Sequence, residues 1–551
     1  MPCYMQGFFL HKICIYHKIS LGDEMKKISF AALLTSFIIS LSFIIGSTIE
    51  NYGSIRYLVD SNHFIGNFID FLVHFIVWYF IVVAIFRILR RKITINNKAF
   101  KFIFNDHPLL MVFILLFLIG LPIVITFYPG PVQWDGMWQL NYYSGVLPWS
   151  NHHPIFSTYI LGTVQKIGSI VVDDNFGIFL FTFTQYTLSC FIFANIIDFQ
   201  NKLGTSDIIK LLTFLFFALS PSWYLYAYTF MKDTSYYLIF IIFFINYIKF
   251  FYNESDKKSI IILLISSLFL ILIRNNGIYV VSVSFLALCF LKPDYKKTSI
   301  SFVVLFFIVQ LILNTVIKIN GIDPSNIRET LSIPVQQIAR YTIYNNLTEE
   351  EKEKISKVFM YDENDFALNY NPDISDPIKE SLVIETKSDL KEFLSLWWSL
   401  LKKDPVTYID ATLNNTYGYF YPYKEDVKES IGYFRVVSNK KINKGNFDFY
   451  MNRKYKSFRK GFEENFYHLR RSKYIKFIYN TGTYFIVLVI ILGYSLYIKR
   501  YDYLVISIPL LLTYAFCILS PVNAYLRYMN PIIVCLPIMI SLVTSTKYNK
   551  N

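Results

Sequence analysis

LLMVFILLFLIGLPIVITFYPGPVQWDGMWQL, residues 109–140, decides the class of this protein. Its first nineteen residues carry no charge and are long enough to cross a bilayer as a helix. Pro129, Gly130 and Pro131 follow directly, and this combination ends a helix. Asp135 comes shortly afterwards. We therefore expect this carboxylate to lie at the membrane surface, just beyond the end of a span.

The composition of the whole chain is that of a polytopic membrane protein. Of its 551 residues, 54% are hydrophobic and 17% are charged, whereas soluble domains contain about 25% charged residues. The formal net charge is +14, and the basic residues occur in small clusters between apolar runs. Such clusters are typical of loops on the cytoplasmic side of a membrane. They form no continuous patch, so we expect no nucleic-acid partner.

The apolar runs predict an all-α fold with about twelve transmembrane helices. They lie near residues 28–47, 67–89, 108–128, 176–198, 209–230, 235–251, 259–273, 278–291, 300–317, 476–498, 503–519 and 531–545. Basic clusters separate alternate spans, as in the loop that contains Arg87 and Lys101 and the loop that contains Lys499 and Arg500. The positive-inside rule places these loops in the cytoplasm.

Two of the predicted spans, 259–273 and 278–291, are short. Each gives a helix of about 22 Å, against a hydrocarbon core of about 30 Å. A single tilted span is the alternative. Lysines at both outer ends, Lys257 and Lys292 among them, favour a hairpin with both ends in the cytoplasm. Its turn, which begins at Arg274, is then expected to lie below the outer surface and to line a water-filled cavity.

The same patterns predict four segments. Residues 1–24 form a weakly patterned N-terminal tail, which we expect to be a mis-assigned start ahead of Met25. Residues 25–317 form a transmembrane core, 318–475 a mainly helical extracytoplasmic domain, and 476–551 a C-terminal transmembrane segment. None of the six cysteines lies in 318–475, so no disulfide framework is predicted there.

Five groups of polar residues fall on the outer side in this topology. They are Trp134-Asp135, His152-His153-Pro154, Lys232-Asp233, Arg274-Asn275-Asn276 and Arg527-Tyr528. Each alone has a structural explanation, such as a helix cap, a structural histidine, a local ion pair or an interfacial anchor. A basic group within a hydrophobic hairpin is costly, however, which favours a function for Arg274. Because all five groups are predicted to lie on the same side of the membrane, we expect them to form a single site.

The order of these five groups along the chain is similar to that in a known family. Together with SIPVQQIAR (332–340), YNPDISDP (370–377) and YGYFYP (417–422), it resembles an uncharacterised family of polytopic membrane proteins of Gram-positive bacteria. The long first outer loop, with a carboxylate soon after a span, is similar to that of the C-type membrane glycosyltransferases, the GT-C fold. His152-His153-Pro154 resembles the His-Pro element of some members. The chain departs from other members because it has no DxD motif and Asp135 stands alone.

The resemblance implies a membrane glycosyltransferase that moves a sugar from a polyprenyl-phosphate donor to a cell-envelope glycan, glycolipid or protein acceptor. The active site would face outward from a bacterial cell membrane. Asp135 and His153 would be catalytic, and Asp135 and Asp233 would hold Mg²⁺ or Mn²⁺ if a metal is used. The residues expected to bind substrate are Trp134, Gln139, His152, Lys232, Arg274, Asn275, Arg527 and Tyr528.

Three other functions remain open from the residues alone. A transporter or flippase of envelope intermediates accounts equally well for a basic group in a cavity, and better for a broken hairpin. A polymerase of envelope polysaccharide is the nearest enzymatic alternative, and a structural envelope protein is the third.

Overall fold

The computed structural model describes residues 29–424, 434–436, 442–545 and 547–548. The predicted N-terminal tail, 1–24, lies outside the described residues. Within the described ranges the chain is mainly α-helical and forms isolated β-bridges but no β-strand. This confirms the predicted all-α class.

The first fourteen α-helices occupy the N-terminal part of the chain. They are α1 (Phe30–Tyr52), α2 (Arg56–Val59), α3 (Phe64–Leu89), α4 (Lys98–Lys101), α5 (Pro108–Thr126), α6 (Trp134–Tyr143), α7 (Ile155–Val171), α8 (Asp174–Lys202), α9 (Asp207–Leu219), α10 (Pro221–Ala227), α11 (Lys232–Phe251), α12 (Lys257–Ile273), α13 (Gly277–Leu291) and α14 (Lys296–Ile319). The predicted hairpin is present as two separate, contacting helices, α12 and α13.

The remaining helices form a polar segment and the C-terminal part. The polar segment contains α15 (Ser332–Tyr344), α16 (Glu349–Val358), α17 (Glu363–Asn369), α18 (Asp376–Glu380), α19 (Lys387–Lys403), α20 (Pro405–Thr416) and α21 (Lys456–Arg471). The C-terminal part contains α22 (Thr481–Tyr497), α23 (Asp502–Ile506), α24 (Ile508–Ile518) and α25 (Leu526–Thr544). Helices α15 to α20 share their own apolar core, built around residues such as Val335, Phe366 and Phe393.

Among the described residues, seven helices are long and apolar enough to cross a membrane, as expected of a membrane protein. The number is eight if α9 and α10, which bend by 63° at their junction, form one span. Each of the twelve apolar runs that the sequence predicts coincides with a helix or a broken helix pair. Helices α12, α13, α22 and α24 are shorter than a full span, with 17, 15, 17 and 11 residues.

Two helices occupy the centre of the bundle. The most apolar windows of α11 and α25 are 78% and 83% buried, whereas that of α3 is only 6% buried. Sixteen of the twenty residues of α11 are buried, and Phe240, Phe243 and Phe244 are completely buried. A helix of this kind belongs in a core. The first residues of both helices, Lys232 and Leu526, are buried as well.

The bundle has two ends with different contacts. At the Asn275 end, Asn275 Nδ2 donates to Asn151 O (3.2 Å), and Asn151 N donates to Asp323 O (2.8 Å). At the Arg500 end, Arg500 contacts Asp502, and Tyr252 stacks on Tyr548 at 3.9 Å between ring centroids. The polar segment begins next to Asn151, so it extends from the Asn275 end.

Candidate functional site

Asp135 lies in the first turn of α6 at the Asn275 end. Val132, three residues before Asp135, forms a β-bridge with Phe230, which lies two residues before α11. A carboxylate in the first turn interacts favourably with the positive end of the helix dipole. The β-bridge therefore brings the start of α6 next to the start of α11.

An ion pair joins this carboxylate to the start of α25. Arg527 Nη1 donates to Asp135 Oδ2 at 2.9 Å. Lys232 Nζ lies 3.9 Å from the same carboxylate oxygen and donates to His153 Nδ1 at 2.8 Å. Four residues from four separate parts of the chain thus form one continuous network.

A second carboxylate extends the network. Asp233 Oδ1 lies 3.6 Å from Arg274 Nη2, and Asp233 Oδ2 lies 3.7 Å from Arg527 Nη1. The Arg274 guanidinium lies over the rings of Tyr236 (5.4 Å) and Tyr528 (5.2 Å). Three cationic and two anionic side chains are therefore enclosed together, so the cluster carries an excess positive charge when His153 is neutral.

The cationic residues stand where they destabilise their own helices. Lys232 is the first residue of α11 and Arg527 the second residue of α25, and cations there face the positive end of the helix dipole. Their side chains are only 9% and 10% exposed, which adds a desolvation cost. A bound anion would offset both costs, because helix N-termini and buried cations each favour negative charge.

These contacts determine the protonation states of Asp135 and His153. Burial alone would raise the pKa of Asp135, but Arg527 and Lys232 lower it by more than burial raises it, and the net pKa lies well below its usual range. Burial and the neighbouring Lys232 hold the pKa of His153 well below its ordinary value. At neutral pH the site therefore contains the Asp135 carboxylate and a neutral His153 imidazole. The Nδ1 atom of this imidazole accepts a hydrogen bond from the Lys232 ammonium group.

Access to the network is from the Asp135 side. The Asp135 side chain is 26% exposed, several times more than that of Asp233, at 6%. Trp134, next to it, is exposed. A substrate would therefore meet Trp134 and Asp135 first, with the less exposed Lys232 and Arg527 behind them.

The other residues expected to bind substrate divide into three groups. Tyr528 belongs to the network, since its ring lies under both Arg274 and Arg527. His152 and Asn275 line its edge: the His152 ring lies 4.7 Å from that of His153, and Asn275 holds Asn151. Gln139 is not brought into the network. Its side chain is fully buried and donates to Ser157 and Thr158, so it holds α6 against α7.

The two carboxylates expected to hold a metal are already bridged by a side chain. Arg527 Nη1 lies 2.9 Å from Asp135 Oδ2 and 3.7 Å from Asp233 Oδ2. This nitrogen takes the position of a bridging cation, and Lys232 and Arg274 add further positive charge. The residues in this arrangement do not fit a divalent metal, because repulsion among cations would oppose its binding.

Unsatisfied polar atoms surround Arg527. Its Nε, Asp233 Oδ2 and both side-chain amide atoms of Asn530 are buried with no hydrogen-bond partner among the described residues. Asn530 lies three residues after Arg527 and thus on the same face of α25. Buried polar atoms without a partner are uncommon and call for a ligand or water. We did not single out Asn530 from the sequence, although an amide within an apolar span is itself a signal.

A second set of contacts, which was not predicted from the sequence, fixes the position of Arg527. Asn523, in the loop before α25, donates from Nδ2 to Asp373 Oδ1 (2.9 Å) and accepts at Oδ1 from Gly418 N (3.0 Å). Ser375 N donates to Pro521 O (2.9 Å), and Tyr419 OH donates to Val522 O (2.8 Å). The motifs YNPDISDP and YGYFYP therefore clamp the loop that leads into the Arg527 helix.

A comparison with protein families bears on the same residues. The model of a family of unknown function, DUF6020, matches residues 146–551. The chain belongs to this family. The matched DUF6020 region contains His153, Lys232, Arg274 and Arg527, whereas Asp135 precedes it. No curated protein and no solved structure matches the chain.

Proposed function

We propose that this protein is a membrane glycosyltransferase of GT-C-like architecture. It would move a sugar from a polyprenyl-phosphate donor to a cell-envelope glycan, glycolipid or protein acceptor on the outer face of a bacterial cell membrane. The observation that carries the proposal is the cluster of Lys232, Arg274 and Arg527 behind an accessible carboxylate at one end of a membrane helix bundle. A lipid phosphate is an anion that reaches this depth from the bilayer.

The proposed chemistry is a single displacement at the anomeric carbon. The bond from that carbon to the donor phosphate oxygen breaks, and its electron pair leaves with the phosphate. The acceptor hydroxyl oxygen forms the new bond, and its proton passes to the Asp135 carboxylate. Arg527 and Lys232 would stabilise the leaving phosphate, with Arg527 able to make two parallel hydrogen bonds.

The ion pair of Asp135 suggests an order of events. Paired with Arg527, the carboxylate is ionised but a weak proton acceptor, because its pKa lies well below its usual range. A phosphate bound by Arg527 would weaken this pair and so raise the basicity of Asp135. Binding of the donor would then precede activation of the acceptor. The neutral His153 imidazole would hold Lys232 in place through its Nδ1.

The proposed topology has twelve spans and an outward-facing site. Helices α12, α13, α22 and α24 complete the twelve, and short spans are tolerated where they line a protein interior. The contacts support this arrangement, since α12 and α13 meet at the Asn275 end, while the α22–α23 connection contacts Tyr252 at the Arg500 end. The Arg500 end carries Lys547 and Lys292, which favours the cytoplasm for that side.

Transport of a lipid-linked intermediate is the second candidate. The 63° bend between α9 and α10 supports it, because broken spans are typical of transporters. A polymerase would use the same site with a lipid-linked oligosaccharide as donor. It would be distinguished by products of increasing length.

The test is transfer of a labelled sugar from a polyprenyl-phosphate donor, measured in membranes that contain the protein. We expect transfer that depends on Asp135 and on the lipid phosphate. Mass spectrometry of envelope glycans from deletion and wild-type cells would identify the acceptor. Movement of the donor across proteoliposomes without sugar transfer would reject the transferase in favour of transport.

A further inference from the structure

The stretch 453–476 holds an unusual share of the positive charge. It contains nine Lys or Arg residues and two Glu, a formal charge of +7, which is half of the chain's net +14. It ends five residues before α22 and so lies close to a span end, although long segments cross a membrane largely regardless of their charge. In the proposed topology this charge lies on the outer side, so it needs an explanation other than the positive-inside rule.

Helix α21, which fills most of this stretch, lies along the Asn275 end of the bundle. Near its start, Arg459 Nη1 donates to Thr126 O (2.8 Å), at the last residue of α5. Near its other end, the Phe466 ring packs on Tyr479 at 5.6 Å, two residues before α22 begins. Both contacts are at ends of apolar helices on the same side. The helix therefore runs along the membrane surface instead of crossing it.

The two sides of α21 differ. Phe462 and Phe466 pack against Phe127 and Phe434, which attach the helix to the bundle. Lys456 and Lys460 lie one turn apart and are exposed, whereas Arg459 lies three residues before Phe462, on the attached face, and donates to the end of α5. The Lys460 side chain is 77% exposed.

Exposed aromatic rings accompany the basic residues. Phe458, Tyr467 and Tyr474 are exposed, and the Arg471 guanidinium lies 4.3 Å from the centre of the Tyr467 ring. Aromatic and basic side chains in alternation are typical of helices at the level of lipid headgroups.

We propose that α21 and its flanking residues bind the headgroups of anionic phospholipids in the leaflet at the Asn275 end. The occupant is a lipid because the helix lies at the ends of the spans and exposes aromatic rings as well as positive charge. A soluble polyanion would be attracted by the charge but would not require exposed Phe458 and Tyr474 beside the span ends. The surface lies outside the ion-pair network and does not depend on the proposed transferase activity.

The experiment uses the full chain in lipid nanodiscs, with Tyr474→Cys carrying an environment-sensitive dye. The background replaces Cys3 and Cys14 by Ser, since the other four cysteines are buried. Brominated phosphatidylglycerol or brominated phosphatidylcholine is added at the same fraction, and quenching of the dye is measured. We expect the anionic lipid to quench at least about twofold more strongly. The preference should disappear at 1 M salt, where the Debye length is about 3 Å.

A charge variant and a matched control complete the design. Lys454→Gln, Lys456→Gln, Lys460→Gln and Lys473→Gln in one protein should abolish the preference while quenching continues. The control changes three lysines of α16 to Gln, the half-exposed Lys352 and Lys354 and the exposed Lys357, and should keep the preference. Equal quenching by both lipids in the wild type would overturn the proposal. Loss of quenching by either lipid, with protection of the dye by a soluble phosphate polymer, would overturn it in favour of that polymer.

Discussion

Arg527 Nη1 lies 2.9 Å from Asp135 Oδ2, although 392 positions separate the two residues in the chain. The same guanidinium nitrogen lies 3.7 Å from Asp233 Oδ2. A cation shared by two carboxylates can exchange one of them for a phosphate without leaving the site. This relationship connects the first turn of α6 with the start of α25, and the predictions below depend on it.

The first prediction concerns Asp135→Asn. The substitution keeps size and most hydrogen bonding but removes the proton acceptor, and loss of a general base typically lowers a rate by 10²–10⁴-fold. We expect sugar transfer to fall at least about a hundredfold with the protein still inserted in membranes. The control is Asp70→Asn, at an exposed carboxylate of α3. Wild-type transfer by Asp135→Asn at equal expression would remove Asp135 from the mechanism.

The second prediction compares two changes at Arg527. Arg527→Gln leaves Asp135 and Asp233 with less compensating charge, and breaking a buried pair typically costs about 3–5 kcal/mol. Since Asp135 is partly exposed, we expect a loss at the lower end of this range, seen as a lower thermal unfolding midpoint. Arg527→Lys should restore much of this stability but not donor binding, because an ammonium cannot make the two-pronged phosphate contact. An unchanged KM for the donor in Arg527→Lys would contradict the phosphate role.

The third prediction concerns pH and His153. Its pKa in the folded protein lies well below the ordinary value, so the unfolded chain binds the proton first as the pH falls. Stability from this residue is complete above about pH 6.5 and is lost progressively below it. We expect the unfolding midpoint to fall between pH 7 and pH 5, and to fall less in His153→Gln. His468→Gln, at an exposed histidine of α21, should keep the wild-type slope. The same slope in all three proteins would show that His153 is not held neutral.

The fourth prediction tests the clamp on the loop before α25. Asn523 is buried and bonds to Asp373, Gly418 N and Asn414 O. Asn523→Ala removes the acceptor of Gly418 N and one partner of Asp373, which keeps its ion pair with Lys424, and a buried group left unpaired costs about 1–3 kcal/mol. Because the loop sets the position of Arg527, we expect a weaker donor affinity as well as a lower unfolding midpoint. Asn369→Ala, which removes only a local bond to Asp365 O, is the matched control. If stability falls but the KM for the donor is unchanged, the clamp has only a structural role.

The fifth prediction concerns sidedness. Ser395, on the exposed face of α19, and Tyr501, in the loop after α22, are both exposed but lie on opposite sides in the proposed topology. In a background without Cys3 and Cys14, Ser395→Cys should react with an impermeant maleimide on intact protoplasts. Tyr501→Cys should react only after lysis. The reverse pattern would turn the Asn275 end toward the cytoplasm.

The membrane class and the helix positions could be predicted from the sequence. Apolar runs are local, and each hydrophobic residue favours lipid or a protein core independently of its distant neighbours. The counting of spans likewise predicted that Asp135, His153, Lys232, Arg274 and Arg527 share one side, and the structure brings these side chains into one network.

The pairing within that network was decided by tertiary structure. Gln139 was predicted to bind substrate because it is a polar residue close to Asp135. Its side chain instead donates hydrogen bonds to Ser157 and Thr158, because α6 packs on α7. Asn523 and Asp373 meet only because the polar segment folds back over the start of α25. Hydrophobicity determines where each helix lies in the membrane, whereas hydrogen bonds and ion pairs act over about 3–4 Å and depend on how those helices pack. The sequence alone thus determined a polytopic α-helical membrane protein with polar groups on one side, and only the packing of α6, α11 and α25 decided that Arg527 lies between Asp135 and Asp233.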